Sequence, residues 1–165
     1  MSMCGHYLRI SPEELNDLQS QPEVFKEFLY LVMSPECLQA CKEQYCFLNR
    51  FFYDLHFYLG RLLALDSLWR EWGVSSTGGE IGKKIENVSF GMGTVRFVAP
   101  NEVQVIANVL TAASKAEVGF MKLYRKEYPN RQEEYYDLVL STYQEWKQFL
   151  QKAAEEGQAV LFWST

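Results

Sequence analysis

Apolar and polar positions alternate near the start of the chain. Gly5 to Ile10 therefore predicts a short strand around Tyr7 and Arg9. Ser11-Pro12-Glu13-Glu14 follows as a helix start: Ser11 suits the cap, Pro12 the first turn, and Glu14 stands three residues after the cap. Leu15 and Leu18 supply the inward face of this helix, which ends near Ser20. Pro22 opens a second short helix carrying Val24, Phe25, Phe28 and Leu29. Ser34-Pro35-Glu36 repeats the start signal ahead of a longer pattern. Leu38, Cys41, Tyr45, Leu48, Phe52, Leu55, Leu59 and Leu62 recur every three or four residues, predicting one long central helix with Phe51 and Tyr58 widening its stripe.

The periodicity disappears from Gly73 to Gly93, where five more tight-turn signals, from Gly78 to Gly93, predict an irregular segment. Thr94 to Val98 predicts a strand, stopped by Pro100. Val103, Ile106, Ala107 and Leu110 then share a helical face, and a further helix is expected over Lys115 to Lys126. Tyr128-Pro129-Asn130 breaks the pattern. A final helix is expected from about Gln132 to Glu156, with Tyr135, Leu138, Val139, Trp146, Phe149, Leu150 and Ala153 inward. Gly157 ends it, and Ala159 to Trp163 predicts a closing strand. With no repeat, low-complexity tract or linker, residues 1–165 are expected to form one α+β domain. Its small, mostly antiparallel sheet would be covered by several helices, making it predominantly helical.

Composition refines this picture. Hydrophobic residues make up 48% of the 165 positions and charged residues 22%, a globular balance. The net charge of −5 argues against a nucleic-acid binder, which would cluster Lys and Arg, and would suit a partner with a basic surface. The amino terminus lacks the basic and apolar regions of a secretory signal. The longest clean apolar run, Phe28 to Met33, is far too short to span a membrane. Cysteines at 4, 37, 41 and 46, three of them in one expected helix, fit reduced thiols and a cytoplasmic location better than a disulfide framework.

His56 is the first candidate site residue. Within an apolar helix it can serve as a general base or ligand, or as a buried histidine satisfied by a backbone carbonyl. Glu80, Gly91, Gly93 and Arg96 form the second candidate. Glycines let backbone amides approach an anion and an arginine can hold it; alternatively the glycines permit positive φ and Glu80 pairs with Arg96 to fasten the loop. Gly78 to Lys84 superficially follows a P-loop, but one residue too few precedes Gly82-Lys83, and Lys84 replaces the required Ser or Thr. No metal site is expected. Cys37 and Cys41 share a face without Cys46, while Cys4 and His6 are two ligands short.

Three stretches in order resemble the YfbM-like family, a bacterial family of unknown function. The first is Met-x-Met-x-Gly-x-Tyr running into Leu8 to Leu15. The second takes in Leu55-His56-Phe57-Tyr58-Leu59, Gly78-Gly79-Glu80 and Gly91 to Val98. The third is Phe149 to Trp163. Phe52 and Gly60-Arg61 depart from the Trp and the Thr-Gly usual in members. The resemblance implies an α+β fold of bacterial cytosolic origin and no particular reaction.

No complete catalytic constellation and no cofactor motif is present, so a non-enzymatic interaction module is favoured. Trp69, Trp72, Tyr124, Tyr128, Tyr136 and Tyr143 fall near element ends or off the main stripe, as surface rings for a protein partner or, for half of them, as caps on the core edge. An immunity-type inhibitor of a bacterial toxin is one concrete form. The alternative is a small-molecule-binding protein or enzyme with a pocket around His56, Glu80 and Arg96.

Overall fold

A computed structural model describes residues 4–49, 51–62, 81–113 and 117–165. Over these residues the chain runs β1 (Gly5–Ile10), α1 (Pro12–Ser20), α2 (Pro22–Val32), α3 (Pro35–Ala40), β2 (Tyr45–Leu48) and α4 (Phe52–Leu62). It continues through β3 (Lys83–Phe90), β4 (Gly93–Val98), α5 (Pro100–Ala112), α6 (Glu117–Glu127), α7 (Glu133–Glu155) and β5 (Ala159–Ser164). The strands form an antiparallel sheet in the order β2-β1-β5-β4-β3, so the last strand in the sequence is the middle one. This is the expected predominantly helical α+β architecture.

Local chemistry explains the helix starts. The Ser11 hydroxyl accepts the Glu14 N–H at 3.1 Å while the Glu14 carboxylate accepts the Ser11 N–H at 2.9 Å, closing a capping box. At α5 the cap is Ala99, which has no side-chain acceptor, yet Glu102 still reaches back to the Ala99 N–H at 2.8 Å. That carboxylate is buried, and Lys83 on β3 meets its other oxygen at 3.0 Å, tying the edge strand to the helix.

The sheet is covered on both faces. Tyr7, Phe162 and Arg96 lie in one row across β1, β5 and β4. Their face carries the larger core, where Phe52, Leu55 and Leu59 of α4 join Ile106 and Leu110 of α5 and Trp146 and Leu150 of α7. On the opposite face, Leu15, Phe25, Leu29 and Val32 of α1 and α2 pack over Leu8, Ile10, Leu161 and Trp163. Fully burying one such side chain contributes roughly 1.5–3 kcal/mol.

Four expectations are corrected. The long helix from Ser34 to Leu62 is interrupted: α3 stops at Ala40, a turn follows, and β2 intervenes before α4. Tyr45-Cys46-Phe47-Leu48 is apolar enough to satisfy either period. Its aromatic residues favour a strand once the free edge of β1 offers a ladder, with Tyr7 opposite Cys46. Cys37, Cys41 and Cys46 consequently do not share a helix, and all four cysteines are thiols.

The irregular stretch ending at Gly93 contains β3. Its alternation is disguised by a register shift between Lys84 and Ser89, with Asn87 at φ 62°, which turns both Ile85 and Val88 into the core. On α7 the buried stripe runs through Tyr136, Val139, Tyr143, Trp146 and Leu150, whereas Leu138 is half exposed. Two stripes overlap in that sequence, and packing selects the one that keeps a single face over the whole helix. Finally, Tyr124, Tyr136 and Tyr143 are core residues rather than surface rings. Trp69 and Trp72 lie outside the described residues.

Candidate functional site

His56 faces the sheet from α4 and is completely buried. Its Nε2 meets the Tyr7 hydroxyl, and the Tyr7, Phe52, Trp146 and Phe162 rings surround it. One partner of this buried imidazole is therefore a phenol. Burial raises the Tyr7 phenol well above its ordinary range, with Cys46 adding to the effect, so its hydroxyl stays protonated.

Arg96 belongs to the same sheet face as Tyr7 and Phe162, and its guanidinium donates to the Gly82 carbonyl. Glu80, the expected partner of Arg96, lies outside the described residues. Gly91 and Met92 form the two-residue turn of the β3–β4 hairpin, closed by the Phe90–Gly93 pair. Gly91 has φ 64°, as a turn with glycine at its first central position requires. A Cβ there would stand 2.3 Å from the Ser164 carbonyl oxygen, and the Met92 N–H donates to that same oxygen at 2.9 Å. Gly91 thus seats the hairpin against the end of β5. His56 and Arg96 share a sheet face; Gly91 and Gly93 sit at the hairpin turn.

A solvent-connected cavity of about 400 Å³ lies on the other side of α4, facing α6. Helix α4 contributes Tyr53, Asp54, Phe57, Tyr58 and Arg61; α6 contributes Phe120, Leu123, Tyr124 and Glu127, and Tyr128 follows directly after it. Asp54, Phe57, Tyr58 and Arg61 have the three-, four- and seven-residue offsets of one helical face, as do Phe120, Leu123, Tyr124 and Glu127. Most of the wall is aromatic. Tyr58 and Phe120 meet edge to face at 4.7 Å between centroids, and Tyr124 lies 4.8 Å from Tyr128.

Asp54 is the organising polar group. One carboxylate oxygen accepts the Tyr124 hydroxyl at 3.1 Å and the other accepts the Tyr128 hydroxyl at 3.2 Å. Burial first, then Tyr135 and Asp54, raises the Tyr124 phenol well above its usual range; burial followed by Asp54 raises Tyr128. Both phenols therefore stay protonated donors at neutral pH. Arg61 closes one side of the cavity with its guanidinium 4.5 Å above the Phe57 ring centroid. Among the described lining residues the charged groups are Asp54, Glu127 and Arg61. The arrangement can hold a small molecule between rings with a few polar groups at fixed positions.

Sequence reasoning missed this site because Asp54 has no motif and lies within an apolar helix. The available signal was a second face of α4, where Phe57 stands with Asp54 and Arg61 away from the sheet-facing stripe. Among the described residues, no three His, Cys, Asp or Glu side chains gather as a metal cluster, and no helix is long and apolar enough to cross a membrane.

Comparison with curated proteins and with solved structures finds no match. The sequence pattern of one family, described as a domain of unknown function (DUF1877), matches residues 1–163 and so takes in β1, the α4–α6 cavity and nearly all of β5. The chain belongs to this DUF1877 family.

Proposed function

We propose that the protein binds a small molecule in the cavity between α4 and α6. The supporting observation is the convergence of Tyr124 and Tyr128 on the two oxygens of Asp54 within an aromatic wall. A volume of about 400 Å³ suits a metabolite-sized ligand, and apolar walls with a few placed polar groups are the usual composition of such sites. This role differs from a pocket around His56, Glu80 and Arg96, because His56 is enclosed by rings on the opposite side of α4.

A fragment screen followed by protein NMR tests the proposal. Ligands should shift resonances of α4 and α6 and lose binding in Leu123→Trp, which places a larger side chain at the half-exposed rim. A screen whose hits all map elsewhere, or persist unchanged in that variant, would overturn it.

A protein-interaction role is our second proposal, supported by the outer face of α2. Tyr30 and Leu31 are each about two-thirds exposed there, at 70% and 67%, and Tyr30 packs against Phe90 beside the hairpin turn. The net charge of −5 favours a partner with a basic surface. Replacing both residues with Asp should abolish association with such a partner while leaving the fold intact; unchanged association would remove this role.

A further inference from the structure

We infer that Cys37 and Cys41 form a two-thiolate site for a soft, filled-shell metal ion of the Cu(I) type. The site stands apart from the proposed ligand cavity, whose described lining includes neither residue.

Helix α3 carries Cys37, and Cys41 caps its end. The Cys41 N–H donates to the Cys37 carbonyl at 2.8 Å, the four-residue bond of an α-helix. Both side chains therefore leave the same face, one turn apart. At the other end of α3 the Ser34 hydroxyl accepts the Cys37 N–H at 3.3 Å and fixes that residue in place. Both thiols are half-buried: each rests on the edge of the smaller core and keeps a side open to solvent. The two meet, with a hydrogen bond between the Cys37 and Cys41 side chains.

Spacing decides what such a pair can do. Side chains one turn apart stand about 5–6 Å from each other at Cβ, whereas a disulfide needs roughly 3.5–4.5 Å. The helical bond thus opposes direct joining of the sulfurs and leaves room for one atom between them. Burial first, then the neighbouring Cys37, raises the Cys41 thiol above its ordinary value. A protonated thiol is a poor nucleophile for disulfide exchange, but a metal with high affinity for sulfur displaces the proton.

Soft sulfur ligands select Cu(I). Its filled shell is satisfied by two thiolates on opposite sides of the ion. A structural zinc site asks for four ligands, and among the described residues no third His, Cys, Asp or Glu joins the pair. On binding, two S–H bonds break and two S–Cu bonds form. Both protons pass to water and no electron changes hands. The ion would also brace the turn after α3, where the Gln44 carbonyl accepts the Arg9 N–H at 2.8 Å before β2 begins.

The test uses the full chain, reduced and kept under nitrogen. Cu(I) is added as its acetonitrile complex in competition with bicinchoninate, and protein NMR follows the amides. One copper should bind per chain and shift resonances of α3 and of residues 41–45. Cys37→Ser and Cys41→Ser should each weaken binding on the order of a hundredfold or more, beyond the roughly 10–100-fold that outer-shell groups supply. Cys4→Ser should bind as the native chain does. If a Ser variant does not fold, thiol alkylation of the native chain gives the second reading. Bound Cu(I) should protect Cys37 and Cys41 from iodoacetamide and leave Cys4 reactive.

Native affinity in both folded Ser variants overturns the assignment, as does protection of Cys4 in place of the pair. A single copper shared between two chains in native mass spectrometry overturns it equally.

Discussion

The Tyr7 hydroxyl and His56 Nε2 meet inside the core and join the opening strand to α4 across 49 positions of the chain. A buried imidazole nitrogen deprived of its partner bears a desolvation cost. Tyr7→Phe keeps the ring and removes only the hydroxyl. It should destabilise the protein by about 2 kcal/mol in urea unfolding, within the range for an orphaned buried polar group. A change within measurement error would mean that the pair contributes nothing net. Because Tyr7 lies on the other side of α4 from the cavity, ligand binding by the folded variant should be unchanged.

His6 should make stability depend on pH. Its ring stacks on Trp163, with Tyr45 Oη 2.6 Å from Nδ1 and Thr165 Oγ1 2.7 Å from Nε2. Burial lowers its pKa from 6.5 to about 4. Between those values the unfolded chain binds the proton that the folded imidazole refuses. Stability is therefore full above about pH 6.5 and falls as the pH drops toward 4, by about 3 kcal/mol at most. Unfolding curves across this range should show the slope in the native chain and its loss in His6→Gln. An identical slope in both would assign the effect to other groups.

Gly91 and Gly157 share φ 64° but not their surroundings. A Cβ on Gly91 would collide with the Ser164 carbonyl, whereas one on Gly157 meets nothing within 4 Å. Gly157→Ala should therefore cost only the left-handed backbone penalty, about 1 kcal/mol. Gly91→Ala should cost clearly more, because the hairpin must move off β5. Comparing the two melting temperatures checks this; equal losses would show that the hairpin yields freely.

Lys83→Met should destabilise the protein by about 2 kcal/mol, since it removes a charge-assisted bond from the buried Glu102 carboxylate. Adding Glu102→Gln should recover part of that loss, because the neutral amide can still accept the Ala99 N–H. Denaturation of both single variants and the double variant gives the coupling directly. Additive losses would mean that Lys83 and Glu102 act independently.

The sequence revealed elements wherever local chemistry marked them. Ser11, Pro12 and Glu14 announced α1, Gly157 ended α7, and the apolar runs of β1 and β5 placed both strands. Elements defined by pairing were not legible. Tyr45 to Leu48 satisfies a helical period as well as a strand, and only the edge of β1 decides between them. In β3 the bulge at Asn87 breaks the alternation by which a strand is recognised. The cavity was hidden for a related reason: Asp54 acquires its role from Tyr124 and Tyr128, 70 and 74 positions away. His56, Gly91 and Arg96 stood out by residue type. The structure gives His56 and Arg96 places on the larger core's sheet face and Gly91 a place at the hairpin turn.

The middle position of β5 has a consequence for how the chain folds during synthesis. Tyr7 waits for Phe162, its register partner 155 positions later, and β4 waits for the same strand. Until residues 159–164 leave the ribosome, β2-β1 and β4-β3 are separate two-stranded ribbons. Each exposes on its inner edge the backbone donors and acceptors that β5 will occupy. Strand exchange between chains is open at these two edges until β5 is made, so its late place in the sequence makes pairing of the sheet a long-range, slow step.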